Sequence, residues 1–425
     1  MNNNFTMEYL RELQSYPLNL KISLTKARVR EWINKFGTEG VYISFSGGKD
    51  STVLLDIVRE LYPEIEAVFV DVPTQYPELK EFVKTFDNVT ILKPKINFAQ
   101  VCKKYGFPLI SKEVSESVEG AKKYLTQIIN EYDALTDRQT DRQTDSISIA
   151  TSTTKLLAKA NTQSLARMSR GGTTTSIENS RELASILNER MIARSGGANQ
   201  RLAIMLGYLT KDKKQPIKAN IPKKDRSSFS QEKYKFLLFA PFEISNKCCN
   251  VMKKAPIHEY ERKTGKVGIT AQMAEESKLR TQKWLQNGCN AFDGKHKISN
   301  PMSFWTEQDV LQYIRTRDLK ICSVYGNIVE DSDIDGQLSF TDIPEWNDID
   351  FSEYQPKLKT TGCTRTGCML CGFGCHLEKS PNRLEMLKQT HPKMYDLLDH
   401  ITNNSYTMRQ AIDWINEHGN MNIKY

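Results

Sequence analysis

Two hydrophobic periods alternate over the first hundred residues. Across 20–36 (LKISLTKARVREWINKF), Ile22, Leu24, Val29, Trp32 and Ile33 recur at about helical spacing, and Gly37 supplies a stop. VYISFS (41–46) reads as a short strand, and STVLLDIVRELY (51–62) as a helix that begins at Ser51 or Thr52. EAVFVDV (66–72) is almost continuously apolar, as a strand covered on both faces of a parallel sheet would be. PELKEFVKTF then returns to a helical pattern and VTILKP to a strand. Strand and helix alternating at this spacing predict an α/β fold built on a doubly wound parallel sheet. Much later, TEQDVLQYIRTR and YTMRQAIDWINEHG read as helices in a largely helical C-terminal part.

The pattern fails after about residue 134. TDRQTDRQTD is a short tandem repeat, and it runs into a Ser/Thr-rich tract and then RGGTTTS and RSGGAN. The expected organisation is an α/β core over 1–133, a basic low-complexity insertion over 134–232, a second half of the core over 233–350, and a cysteine-bearing segment with a helical end over 351–425. Charge changes this picture. The chain carries a net +8, yet 17 basic and 7 acidic residues lie between Arg138 and Arg226, so the excess sits in the insertion. A tolerated surface loop is one reading of it. A basic arm that touches nucleic acid is the other, weakened by the scarcity of aromatic residues for stacking on bases. No stretch approaches the ~18 consecutive apolar residues of a membrane span. MNNNFTMEYL has no basic segment followed by an apolar run, so a cytoplasmic location without a membrane partner is expected.

The first candidate for chemistry is Ser46-Gly47-Gly48-Lys49-Asp50-Ser51, placed where a strand turns into a helix. A glycine pair opens backbone conformations closed to other residues and lets peptide N–H groups approach a ligand. The helix start adds free N–H groups and the positive end of its dipole. Together these suit a phosphate or sulfate, with Ser46 and Ser51 as hydroxyl donors and Lys49 as the cation. Asp50 would repel an anion, so it is expected to orient the loop or cap the helix. The spacing is neither Gly-x-x-x-x-Gly-Lys-Ser/Thr nor Gly-x-Gly-x-x-Gly. The plain alternative is a tight turn followed by a helix cap.

This hexapeptide resembles the PP-loop of the ATP-pyrophosphatase superfamily, whose fold is that of the adenine nucleotide alpha hydrolases. FVDVPTQYPEL resembles the second-strand motif of phosphoadenosine phosphosulfate (PAPS) reductases, with Asp71 at the carboxyl edge of its strand. KCCNVMKKAPIHEY, GITAQMAEESKLR, NPMSFWTEQDVLQYI and TTGCTRTGCMLCGFGCHLE resemble further elements of that family, the last in a bacterial and phage-encoded branch. The resemblance implies an adenine nucleotide substrate, PAPS, adenylyl sulfate or ATP. It makes Arg280 a clamp on phosphate or sulfate, with Glu276 and Ser277 shaping the site. Glu276 and Arg280 are four apart, a spacing that places them on one helix face, where an exposed ion pair is the plain reading. Thr270 stands where the family usually has an arginine.

Nine cysteines are present, six of them in two clusters. Cys102, Cys289 and Cys322 stand alone and are expected to be small buried residues. The resemblance implies that Cys248, Cys249, Cys368 and Cys371 hold a 4Fe–4S cluster, with Cys363 and Cys375 as alternates. A zinc site with four thiolates suits the same ligands. His376, beside Cys375, is either a packing residue or a substitute ligand. One departure matters. The resemblance implies a nucleophilic cysteine in a C-terminal tail, and the tail WINEHGNMNIKY has none. Cys363 and Cys375 are the candidates to replace it.

Three functions therefore stand open. One is a sulfonucleotide-reductase-like enzyme served by an electron donor such as thioredoxin. Another is a Mg²⁺-dependent ATP pyrophosphatase that adenylates an acceptor for thiolation, the acceptor being a nucleic acid or a small molecule. The third is a nucleotide-binding protein without chemistry.

Overall fold

The computed structural model describes residues 5–140, 197–211, 222–293, 297–331 and 356–425. Most of the expected basic insertion, 141–196 and 212–221, lies outside the described residues. The chain divides into two compact units, one formed by 1–95 with 251–368 and the other by 96–250 with 369–425.

The first unit holds helices α1 (Met7–Ser15), α2 (Leu18–Phe36), α3 (Lys49–Leu61) and α4 (Pro77–Val83), and strands β1 (Val41–Ser44), β2 (Ala67–Val70) and β3 (Val89–Leu92). After β4 (Leu109–Ile110), which belongs to the second unit, β5 (Val267–Ile269) returns to complete the sheet of the first. The sheet is parallel throughout, in the order β3-β2-β1-β5. Ile43 of β1 lies between Ala67 of β2 and Ile269 of β5. This is the parallel α/β sheet that the alternating pattern predicts.

Local sequence accounts for these elements. Val29, Trp32 and Ile33 line one face of α2, and Gly37 ends the helix at φ +73°, its N–H bonded to Ile33 O at 2.7 Å. In α3, Val53, Leu54, Leu55, Ile57 and Val58 are all buried, so this helix is covered on most of its surface. They join Trp32, Val41, Phe45, Phe69, Trp284, Trp305 and Tyr313 in one core. Trp284 and Trp305 are core residues. Each such side chain contributes about 1.5–3 kcal/mol on burial. One charged pair lies inside, where Lys21 Nζ meets Asp309 Oδ2 at 2.7 Å and also donates to Gln14 O.

The second unit contains α5 (Phe98–Tyr105), opened by an Asn97–Gln100 capping box. It continues through β4, parallel to Gly372–Phe373, and α6 (Lys112–Thr140). Thus α6 runs through the first TDRQT, where the hydrophobic pattern had already lapsed. Helix Gly197–Leu206, inside the expected insertion, packs along α6. The C-terminal helix Met408–Gly419 is fixed by Trp414, which stacks on Phe236 at 6.0 Å and meets Phe242 edge-on at 5.5 Å. Among the described residues, no helix is long and apolar enough to cross a membrane.

Candidate functional site

Everything that follows about the glycine turn belongs to the first unit. β1 ends at Ser44, and α3 begins at Lys49, two residues before the expected start. Gly48 occupies the cap position and has no side chain to close it, so Lys49 and Asp50 are drawn into the first turn. Gly47 takes φ +73°, and a Cβ there would stand 3.0 Å from Val83 Cγ2 and 3.2 Å from Leu79 Cδ2. The turn therefore needs glycine at 47 for both conformation and space.

The serines brace the turn. Ser46 N–H donates to Ser51 Oγ at 3.2 Å, Gly48 N–H to Ser46 Oγ at 3.3 Å, and Ser51 Oγ to Gly48 O at 2.9 Å. The two hydroxyl oxygens lie 3.0 Å apart. With the Ser51 proton directed at Gly48 O, Ser46 is the donor of that pair. Both hydroxyls expected to face a ligand thus hold the loop's shape.

Lys49 is 3% exposed, and its Nζ donates to Thr364 O at 2.9 Å and pairs with Glu307 at 3.0 Å. Its backbone N–H donates to Tyr325 Oη at 3.1 Å. Asp50 neither caps α3 nor makes any hydrogen bond through Oδ1, which lies 3.8 Å from Lys49 Nζ. Burial pushes its carboxyl above the usual range, Lys49 opposes that, and Glu307 adds to it. Asp71 follows β2 and accepts from Lys80 Nζ at 2.6 Å.

Arg280 and Glu276 form an ion pair, but not across one helix face. Glu276 ends a short turn (Ala274–Glu276), Ser277 is the N-cap, and Arg280 lies in the first turn of helix Lys278–Asn287. The Ser277 hydroxyl accepts from the N–H of Arg280 at 3.3 Å, so its observed work is capping. Glu276 also lies 3.6 Å from Arg365 and accepts from Met273 N–H. Burial lowers the Arg280 pKa, and the nearby Arg365 lowers it further. At the expected arginine position, the Thr270 hydroxyl bonds Asn300.

A cavity of about 410 Å³ opens at the carboxyl edge of the sheet. Ser44, Ser46, Val68, Val70, Thr270 and Arg280 line it. Its size suits a nucleotide-sized ligand, and the carboxyl edge is where open α/β sheets bind ligands. Sequence reasoning had missed Glu307, Tyr325, Thr364 and Thr366. They lie hundreds of residues along the chain from Lys49 and carry no local signal. Lys253, Lys254, Lys283 and Lys297 also line the cavity, and all but Glu261 of its charged residues are basic or His258.

The thiols are distributed between the units. Cys363 and Cys368 belong to the first, and Cys248, Cys249, Cys371 and Cys375 to the second. Cys363 Sγ lies 3.5 Å from Tyr76 Oη. Cys375 is buried, bonds Cys371 O at 3.6 Å, and has its thiol pushed up to about 12 by burial. His376 is engaged by Tyr234 Oη at 3.0 Å. Among the described residues, no three or more Cys, His, Asp or Glu are gathered so as to hold a metal ion. Of the ligands that the resemblance implies, Cys368 thus lies in the first unit and Cys248, Cys249 and Cys371 in the second, and no chemistry is routed through a metal. Cys102, Cys289 and Cys322 are buried, as expected of lone cysteines.

Comparison with known proteins decides the family. The profile of the phosphoadenosine phosphosulfate reductase domain matches residues 40–148 and 203–372, more than half of the chain. The chain belongs to this family. Its PP-loop is thus seated in the domain that the profile describes, with the loop, β2 and Arg280 all inside the matched residues. An uncharacterized protein of Methanocaldococcus jannaschii is 33% identical over 97 residues, which cover 21% of this chain and 23% of that protein. The chain therefore spans under a quarter of the length of this relative.

Proposed function

We propose that the first unit binds an adenine nucleotide, with its phosphate or sulfate against Ser46–Ser51, and works in sulfur reduction or sulfur transfer. One observation carries the reading. A Ser-Gly-Gly-Lys-Asp-Ser turn joins β1 to α3 beside a nucleotide-sized cavity at the carboxyl edge of a parallel sheet. Lys49 and Arg280 supply positive charge, and Arg forks onto phosphate or sulfate oxygens. Asp71 lies just beyond β2, near the nucleotide.

The reductase reading needs a thiolate to attack the sulfate sulfur while the nucleotide leaves on the broken S–O bond. A dithiol reductant, such as thioredoxin, then releases sulfite and restores the thiol. Cys363 is the better candidate. It is half-buried in the unit of the PP-loop, and the next residue's carbonyl touches Lys49. Cys375 is buried in the other unit, where desolvation disfavours its thiolate.

A second reading, Mg²⁺-dependent pyrophosphate release from ATP ahead of thiolation of a nucleic acid or small molecule, draws on Asp50. Its Oδ1 is an acceptor without a hydrogen-bond partner, so this carboxylate is the one a hard cation beside the phosphates would meet.

The test measures sulfite and pyrophosphate released from PAPS, adenylyl sulfate and ATP by anaerobically purified protein, alongside its iron and zinc content. Sulfite lost in Cys363→Ser supports the reductase reading with this thiol. Pyrophosphate that requires Mg²⁺ and added RNA or DNA moves the protein to the second. Bound nucleotide with neither product leaves a binding protein. Iron in the purified protein would support the 4Fe–4S cluster at Cys248, Cys249, Cys368 and Cys371, and zinc its alternative.

A further inference from the structure

The groups that would receive a phosphate on the PP-loop are already engaged, and one short segment supplies much of that engagement. Thr364 O accepts from Lys49 Nζ at 2.9 Å. Thr366 Oγ1 bonds Tyr325 Oη at 2.8 Å, and that same hydroxyl oxygen accepts the Lys49 N–H at 3.1 Å. A Cβ on Gly48 would lie 3.1 Å from Thr366 Oγ1 and 3.2 Å from Tyr325 Oη, so these hydroxyls sit directly on the glycine pair. Glu307 completes the set, at 3.0 Å from Lys49 Nζ.

The segment is tied at both ends. Gly362 N–H donates to Tyr325 O at 2.9 Å and Cys363 N–H to Val324 O at 2.8 Å, and Cys368 bridges to Gln75. Between these ties, Arg365 is mostly exposed and lies 3.6 Å from Glu276, the carboxylate that also holds Arg280.

We propose that 362–368 is an internal strap whose docking on Lys49 and nucleotide binding by the PP-loop are mutually exclusive. The inference rests on the PP-loop being the phosphate site. A phosphate oxygen needs the Lys49 N–H and ammonium as donors, and here both point at protein acceptors. One of those acceptors is a carboxylate, which repels the incoming anion. Binding therefore exchanges Thr364 O, Tyr325 Oη and Glu307 for phosphate oxygens. The centre of the strap is released while its ends stay tied. Arg280 and Arg365, now sharing Glu276, gain an anionic partner in the same exchange.

The experiment is limited trypsin digestion of the full chain, with and without saturating ATP or PAPS, scoring cleavage after Arg365 by mass spectrometry. Calorimetry gives the affinities. Loss of a hydrogen bond to a charged group shifts a local opening equilibrium by about tenfold or more, so cleavage after Arg365 should accelerate by about that factor with nucleotide. Glu307→Gln, which keeps the shape but removes the competing charge, should bind nucleotide about tenfold more tightly. Thr366→Val should raise Arg365 cleavage without nucleotide. Nucleotide that binds but leaves cleavage unchanged or slower overturns the strap and leaves the PP-loop reading intact, as does weaker binding by Glu307→Gln. No binding by wild type or Glu307→Gln overturns both.

Discussion

Replacing Gly47 with alanine tests whether the PP-loop is built as described. Gly47 sits at φ +73°, and an added Cβ would stand 3.0 Å from Val83 Cγ2 and 3.2 Å from Leu79 Cδ2. Both neighbours are about 1% exposed and belong to α4, so neither can swing into solvent. The left-handed conformation costs a non-glycine residue roughly 1–2 kcal/mol. Forcing a methyl into a packed core adds about 1–3 kcal/mol. A unit of this size loses roughly 2–4 °C of melting temperature per kcal/mol. Gly47→Ala should therefore melt roughly 4–20 °C below the wild type by far-UV circular dichroism, after summing these terms.

Gly37 is the control. It shares φ +73°, yet nothing lies within 4 Å of its added Cβ. Gly37→Ala should show the conformational cost alone, a drop of roughly 2–8 °C. A Gly47→Ala protein that melts no lower than Gly37→Ala would refute the packing of the turn against α4. One that melts with the wild type would refute the turn's conformation as well.

Other outcomes follow from single contacts. Lys49→Met should weaken nucleotide binding by roughly tenfold to a hundredfold, the worth of a charge-assisted hydrogen bond, in equilibrium titrations; unchanged affinity would remove Lys49 from the site. Asp50 has a raised pKa, from burial first, so the folded state holds its proton longer than the unfolded chain does. Stability should fall as pH rises from the ordinary aspartate range through the raised value, and Asp50→Asn should flatten that slope in urea midpoints taken across pH 4–8. Lys21→Met strands Asp309 in the interior and should cost about 3–5 kcal/mol in urea unfolding; a loss under 1 kcal/mol would mean that water reaches the pair. Asp399 has its pKa lowered by Arg409, so their contribution should be lost as pH drops below the usual aspartate range, and Arg409→Met should remove that acid-side dependence.

The sheet was legible because its strands and helices are short, local and strongly patterned. VYISFS, EAVFVDV and VTILKP became β1, β2 and β3, and their alternation with helices marked the sheet as parallel. The start of α3 was misplaced because Gly48 can cap without a side chain, which leaves no residue-type signal at the boundary. The Glu276–Arg280 spacing suggested one helix, but Ser277 takes the cap and splits the pair between turn and helix. Ser46 and Ser51 were read as ligand donors, and residue type gave no sign that both hydroxyls also brace the turn. What surrounds Lys49 was invisible for another reason. Thr364 and Tyr325 reach it across most of the chain, and nothing local in TTGCTRTGC marks a segment that lies on a PP-loop. The cysteine spacings suggested a cluster, and spacing carries no sign that Cys368 falls in one compact unit and Cys248, Cys249 and Cys371 in the other.

The central claim is that the Ser46–Ser51 turn receives the phosphate or sulfate of an adenine nucleotide. Amide hydrogen exchange, read peptide by peptide with and without saturating PAPS, adenylyl sulfate or ATP, tests it most directly. The account predicts slowed exchange across 46–52 with at least one of the three, and loss of that protection in Lys49→Met. Nucleotide binding that protects other segments and leaves 46–52 unchanged would contradict it.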